Sequence, residues 1–147
     1  MSEKKITVLD LLDLDLKGQD SLNMKCIAGR SGLYREITVS DINRPGLAIS
    51  GFYESFAYER VQLFGRGESA YLRKLESEGN FDLIKKFFTY EMPCIVFSHS
   101  IEPSEFFLSV AESSRCAVLQ TDLISTDFSQ RLLRVFSNIF APRKTLH

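Results

Sequence analysis

Between Cys94 and Ile139 the chain spells two short apolar runs, each followed by apolar residues at three- and four-residue spacing. Cys94-Ile95-Val96-Phe97 and Ala117-Val118-Leu119 are apolar at every position, which suits strands covered on both faces. After the first run, Pro103 is expected to start a helix. Glu105 then lies in the first turn, where the dipole favours an acid, and Phe106, Phe107, Val110 and Ala111 share one side. After the second, Ser125 or Thr126 caps a last helix carrying Phe128, Leu132, Val135, Phe136 and Ile139. Strand, helix, strand, helix at this spacing requires crossover connections and therefore parallel strands. The expected class is α/β, with a mixed, mainly parallel sheet and helices on both faces.

Upstream, Thr7 with Asp10 reads as a capping box for a helix whose apolar face is Val8, Leu9, Leu11 and Leu12. Met24 to Ala28 reads as a strand ending at Gly29, with a turn at Ser31-Gly32. Ile37, Val39 and Ile42 alternate like a half-buried strand that runs into Pro45-Gly46, a pair suited to a type II turn. Arg60 to Phe64 is a further short strand, broken by Gly65-Arg66-Gly67. Tyr71, Leu72 and Leu75 mark one helix, and Asn80 caps another with Leu83, Ile84, Phe87 and Phe88 inward before Met92-Pro93 stops it.

A length of 147 residues with 44% hydrophobic and 25% charged content suits one globular domain. The net charge of −1 excludes a whole-surface field for nucleic acid or acidic membranes. Asp10, Asp13 and Asp15 interrupt the first apolar stretch, so no signal peptide or spanning segment is expected, and a cytoplasmic address follows. Cys26, Cys94 and Cys116 are far apart and embedded in apolar runs. That pattern points to core packing rather than zinc or disulfides.

Three features invite a functional reading. Asp41, Asn43 and Arg44 stand just before the Pro45-Gly46 turn, where they could bind a phosphate, meet a partner carboxylate, or simply tie the turn down. The last two readings, structural or interfacial, are favoured. His99, between Ser98 and Ser100, follows a buried strand where open α/β sheets place ligands, yet a catalytic histidine needs an orienting acid that sequence does not supply. Gly65-Arg66-Gly67-Glu68-Ser69 could attract an anion at a helix start, though a plain turn is the simpler reading. The string G-x-x-x-x-G-K-[ST], which cradles nucleotide phosphates, does not occur. Arg131, Arg134, Arg143 and Lys144 follow the last acid, Asp127, as cations expected near a helix C-terminus.

The run Ile37 to Phe52, I-T-V-S-D-I-N-R-P-G-L-A-I-S-G-F, closely resembles a stretch of the HPr kinase/phosphorylase N-terminal domain, I-T-V-S-D-I-x-R-P-G-L-x-x-x-G-F/Y. The resemblance continues through Arg60-Val61-Gln62-Leu63-Phe64-Gly65 with Glu68, Met92-Pro93-Cys94-Ile95-Val96, Glu102-Pro103, and Ala141-Pro142-Arg143 with Thr145 and His147. It covers most of the chain from about Leu9 onward.

The resemblance implies that residues 1–140 form that family's N-terminal domain, similar to the N-terminal domains of muramyl ligases, and that 141–147 link to a C-terminal P-loop kinase domain. His147 aligns with a histidine counted among the family's active-site residues. The whole enzyme implied is a bifunctional one of carbon catabolite control. It moves phosphate from ATP or pyrophosphate, with Mg²⁺, to a serine of the phosphocarrier HPr, and removes it again. For this chain the resemblance implies no cofactor and no catalysis of its own. Its role would be assembly, interdomain contact or sensing, with its own kinase domain, further copies in a homohexamer and HPr as partners, and neither nucleic acid nor membrane. Two other readings stay open: a free-standing small-anion-binding regulatory module using the Asp41 to Gly46 loop and His99, and a small enzyme built around His99.

Overall fold

The computed structural model describes residues 5–17 and 21–141. The Thr7–Asp10 capping box forms reciprocally, each backbone N–H meeting the other's side-chain oxygen at 3.0 Å. It links strand β1 (Ile6–Thr7) to helix α1 (Val8–Lys17). Strand β2 (Met24–Ala28) ends at Gly29, whose φ of 68° and backbone neighbours exclude a side chain. A Cβ there would lie 1.9 Å from the Cys116 carbonyl oxygen.

The expected strand through Ile37, Val39 and Ile42 is instead two. β3 (Glu36–Ile37) pairs antiparallel with β1, whereas β4 (Ile42–Asn43) joins the main sheet. Ile37 is fully buried beneath α1, and residues 38–41 carry the chain from one sheet to the other. The Pro45-Gly46 turn also differs from expectation. Pro45 caps a short helix, α2 (Gly46–Ile49), and Gly46 has no positive φ, so the type II geometry is not adopted. A proline locked near helical φ is as well placed before a helical turn as inside a type II turn.

Strand β5 (Val61–Phe64), helices α3 (Arg66–Ser77) and α4 (Phe81–Phe87), strand β6 (Cys94–Phe97), helix α5 (Glu105–Ser113), strand β7 (Ala117–Thr121) and helix α6 (Ser125–Phe140) complete the chain. The main sheet has the order β2-β7-β6-β5-β4. Its last four strands are parallel, and β2 runs antiparallel to β7. Successive parallel strands step one way across the sheet, so their right-handed crossovers put α3, α4 and α5 on one face. Alternate strand residues serve the two faces. Phe64, Ile95, Phe97 and Val118 pack with α3, α4 and α5, while Val61, Leu63, Cys94, Val96, Ala117 and Leu119 pack with α1 and α6. The architecture is thus the three-layered α/β fold, mainly parallel, with both faces covered.

One expected helix start and one expected cap shift. Ser104, not Pro103, caps α5, its hydroxyl accepting the Phe107 N–H at 3.1 Å. Ile124 occupies the N-cap of α6, so neither Ser125 nor Thr126 caps it. Asn80 holds the N-cap position of α4 without a side-chain bond. Arg131 lies mid-helix and donates to the Ser21 carbonyl at 2.8 Å, and the last turn of α6 contains no cation. Cys94 and Cys116 are buried and Cys26 partly so, all as free thiols. Burial pushes the Cys116 thiol up to about 12, which makes it an inert core residue. No helix among the described residues is long and apolar enough to cross a membrane. His147 and residues 142–146 of the expected linker lie outside the described residues.

Candidate functional site

Parallel strands end on one side of the sheet, and that edge collects most of the residues singled out from sequence. Asn43 ends β4, and its side-chain amide donates to Gln62 Oε1 at 2.8 Å. Gln62, fully buried in β5, uses its own amide on the carbonyls of Ala57 and Arg60. Asp41 accepts from the Ile42 N–H and lies 3.4 Å from the Arg60 guanidinium. Arg44 forms a fork with Glu68, Nε to Oε2 and an Nη to Oε1, both at 2.8 Å. Glu68 also accepts the Gly65 N–H at 2.9 Å, closing the β5–α3 junction. Burial alone would raise the Glu68 carboxyl, but the bonds from Arg44 and the backbone outweigh it and hold the group below its ordinary value.

Gly65 is where these pieces meet. A Cβ at that position would come within 2.5 Å of the Arg44 guanidinium and 2.6 Å of Ser125 Oγ. The glycine in the G-R-G junction therefore serves close approach of side chains, and its φ of −97° is ordinary.

At the next strand end, Ser98 Oγ lies 2.7 Å from Ser125 Oγ and 2.9 Å from His99 Nδ1. Ser125, expected as a cap, thus spends its hydroxyl on this small network. His99 and Ser100 have φ of 59° and 54°, a left-handed pair in non-glycine residues. Their N–H groups bond to the Leu123 and Thr121 carbonyls, which over-determines the strained turn. Burial and the charges of Arg66 and Arg44 hold the His99 imidazole below its ordinary value. Among the described residues no carboxylate bonds to His99, and Ser98 is fully buried, out of reach of a substrate. The pair lacks the third group that nucleophilic catalysis requires. No group of three or more metal-ligating acids, histidines or cysteines exists among the described residues.

The structure therefore brings Asn43, Arg44 and His99 to one edge, with Asp41 turned aside toward Arg60. Sequence reasoning missed Glu68 and Gln62 as the partners that fix the loop. Glu68 stood three residues after the helix N-cap, the position from which a carboxylate reaches back.

Residues 6–136 match the family model described as HPr Serine kinase N terminus. The chain belongs to the HPr serine kinase N-terminal family. A Treponema pallidum (strain Nichols) HPr kinase/phosphorylase is 56% identical over 137 residues, covering 93% of this chain and 43% of that protein. A Leptospira biflexa HPr kinase/phosphorylase is 33% identical over 132 residues, covering 90% and 41%. The chain thus spans less than half the length of the curated relatives it matches. Among solved structures, the CBS and DRTGG domains of the Clostridium perfringens pyrophosphatase regulatory region, complexed with diadenosine tetraphosphate, match 92% of this chain and 52% of theirs. The TM-score is 0.58 at 12% identity, a likeness of fold.

Proposed function

We propose that this HPr serine kinase N-terminal domain is a non-catalytic unit of a bifunctional HPr kinase/phosphorylase, serving assembly, interdomain contact or sensing. The parent enzyme on this reading phosphorylates a serine of HPr with ATP or pyrophosphate and Mg²⁺ and reverses the reaction, in the cytoplasm, as part of carbon catabolite control. Its kinase domain, further copies in a hexamer and HPr are the partners. The observation that carries the reading is the Arg44–Glu68 fork: the most chemically promising side chain of the Asp41 to Gly46 loop is already bound, along the Nε edge of its guanidinium, within its own fold. A residue so held stiffens a loop for contact. Beside it, Leu47 and Phe52 are 70% and 53% exposed, an apolar pair suited to an interface.

Incubating the purified chain with ATP, Mg²⁺ and HPr tests the non-catalytic part. No phosphoserine should form on HPr, and its appearance would overturn the reading. Adding the kinase domain of the Treponema pallidum relative in trans tests the contact role. Leu47→Glu should weaken any complex seen in sedimentation.

A second reading, a small-anion-binding regulatory module, is favoured by one observation: the positive charges of Arg44 and Arg66 are both felt at His99. Inorganic phosphate or pyrophosphate should then raise Tm in proportion to the logarithm of concentration, and flat melting curves would count against it.

A further inference from the structure

Among the described residues, one buried side-chain polar atom has no hydrogen-bond partner: the hydroxyl of Ser69. Native folds satisfy nearly all such groups, so an orphan calls for a physical reason. Ser69 sits in the first turns of α3, 97% buried by its 3% exposure, and it lines a cleft of about 250 Å³. One wall is α3, with Ser69, Leu72, Arg73 and Glu76. The other is the end of β6 and the segment leading to α5, with Phe97, Ile101, Glu102 and Pro103.

The lining is specific in its chemistry. Leu72 and Phe97 are buried and make an apolar floor. Two carboxylates, Glu76 and Glu102, stand against one guanidinium, Arg73; Glu102 and Arg73 are exposed and Glu76 half-buried, and among the described residues none of the three side chains enters an ion pair or hydrogen bond. The cleft therefore favours a cation over an anion, in contrast to the neighbouring strand ends where Arg44 and Arg66 gather. Its volume lies just under the roughly 300 Å³ at which drug-sized pockets begin. That admits a single ring or a branched aliphatic body.

We propose that this cleft is a binding site for a compact organic amine or zwitterion of the apolar amino-acid class. The apolar body rests on Leu72 and Phe97, Glu76 and Glu102 draw the ammonium, and the Ser69 hydroxyl, sealed off in the ligand-free fold, turns to meet a polar atom of the ligand. The proposal goes beyond the assembly role and does not depend on it.

Phenethylamine, phenylalanine and phenylpropionate, titrated into the millimolar range against the ¹⁵N-labelled chain, separate the outcomes. The amine and the amino acid should give saturable shifts at the amides of Ser69, Ile101 and Ser104, with phenylpropionate at least several-fold weaker. Glu102→Gln, at an exposed position that leaves the fold intact, should weaken the amine several-fold. Ser69→Ala should weaken both ligands yet raise the Tm of the ligand-free chain, because it removes a buried unsatisfied group. Absence of saturable shifts in the cleft overturns the proposal. So does tighter binding of phenylpropionate or ATP there, or a lowered Tm for Ser69→Ala, which would mark the hydroxyl as structural.

Discussion

The strand-end loop and the cleft beside α3 lie on adjacent sides of the same helix start, yet they are opposites in hydrogen-bond terms. At the loop, Asn43, Arg44, Gln62 and Glu68 satisfy one another. At the cleft, the Ser69 hydroxyl is buried and has no partner among the described residues. Chemically conspicuous residues are bonded to one another within the fold, and an inconspicuous serine carries the unmet demand. Polar side chains that meet within a fold stiffen it, whereas a buried group left waiting marks where something else can bind.

Phe97 belongs to both regions, which makes it the strongest test of whether they are separable. Its ring stacks on Phe64 at 4.9 Å, meets Phe107 edge-on at 5.3 Å, and floors the cleft, while its backbone leads into Ser98. Phe97→Ala should cost roughly 3–5 kcal/mol in urea unfolding, the usual range for a fully buried phenylalanine. A loss well under about 2 kcal/mol would show that the aromatic face collapses around the gap and that the cleft is pliable rather than preformed.

The neighbouring pair Glu68 and Ser69 puts the contrast at adjacent positions. Glu68→Ala removes the Arg44 fork and the bond to the Gly65 N–H, and should cost about 1–2 kcal/mol. The Arg44 side chain is 47% exposed, so the Coulombic share is small and most of the loss is the freed donors. Equal and destabilising effects at both positions, read by the same denaturation, would erase the distinction between the regions.

The Glu68 effect also depends on pH in a definite sense. Its folded-state carboxyl lies below the ordinary 4.5, so it favours folding above that value. This stabilisation is lost as pH falls through the lower folded-state value. The stability difference between the native chain and Glu68→Gln should therefore be constant near neutrality and shrink below about pH 4.5. A difference that stays flat down to acid unfolding would mean the fork contributes nothing through charge.

Much of this fold was legible because its strands are buried on both faces. Cys94 to Phe97 and Ala117 to Leu119 announce themselves by continuous apolarity, and the helices between them by their stripes. The 37–45 segment was misread because two-residue strands carry too little pattern to reveal that Ile37 and Ile42 serve different sheets. Ser125 was misread because a serine ahead of an apolar stripe signals a cap, and only the tertiary fold shows that Ser98 claims its hydroxyl. The cleft was illegible altogether: it forms where α3 meets the segment after β6, which no local spacing encodes.

The smallest expected effect concerns His99, which sits at the strand-end edge within the field of its two arginines, Arg66 and Arg44. Burial first, then Arg66 and Arg44, lowers its folded-state value from 6.5. On acidification the unfolded chain takes up this proton before the folded one, so His99 opposes folding as pH drops below 6.5. Arg66→Ala should move the His99 imidazole part of the way back up in an NMR titration, since burial persists when the charge is gone. Glu102→Ala, on the cleft side, should leave it nearly unchanged. If removing Arg66 leaves the titration in place, the edge has no cationic field to speak of, and the case for an anion there falls with it. If Glu102 moves it as much as Arg66, the two regions share one electrostatic environment, and a cation in the cleft would be felt at the strand ends.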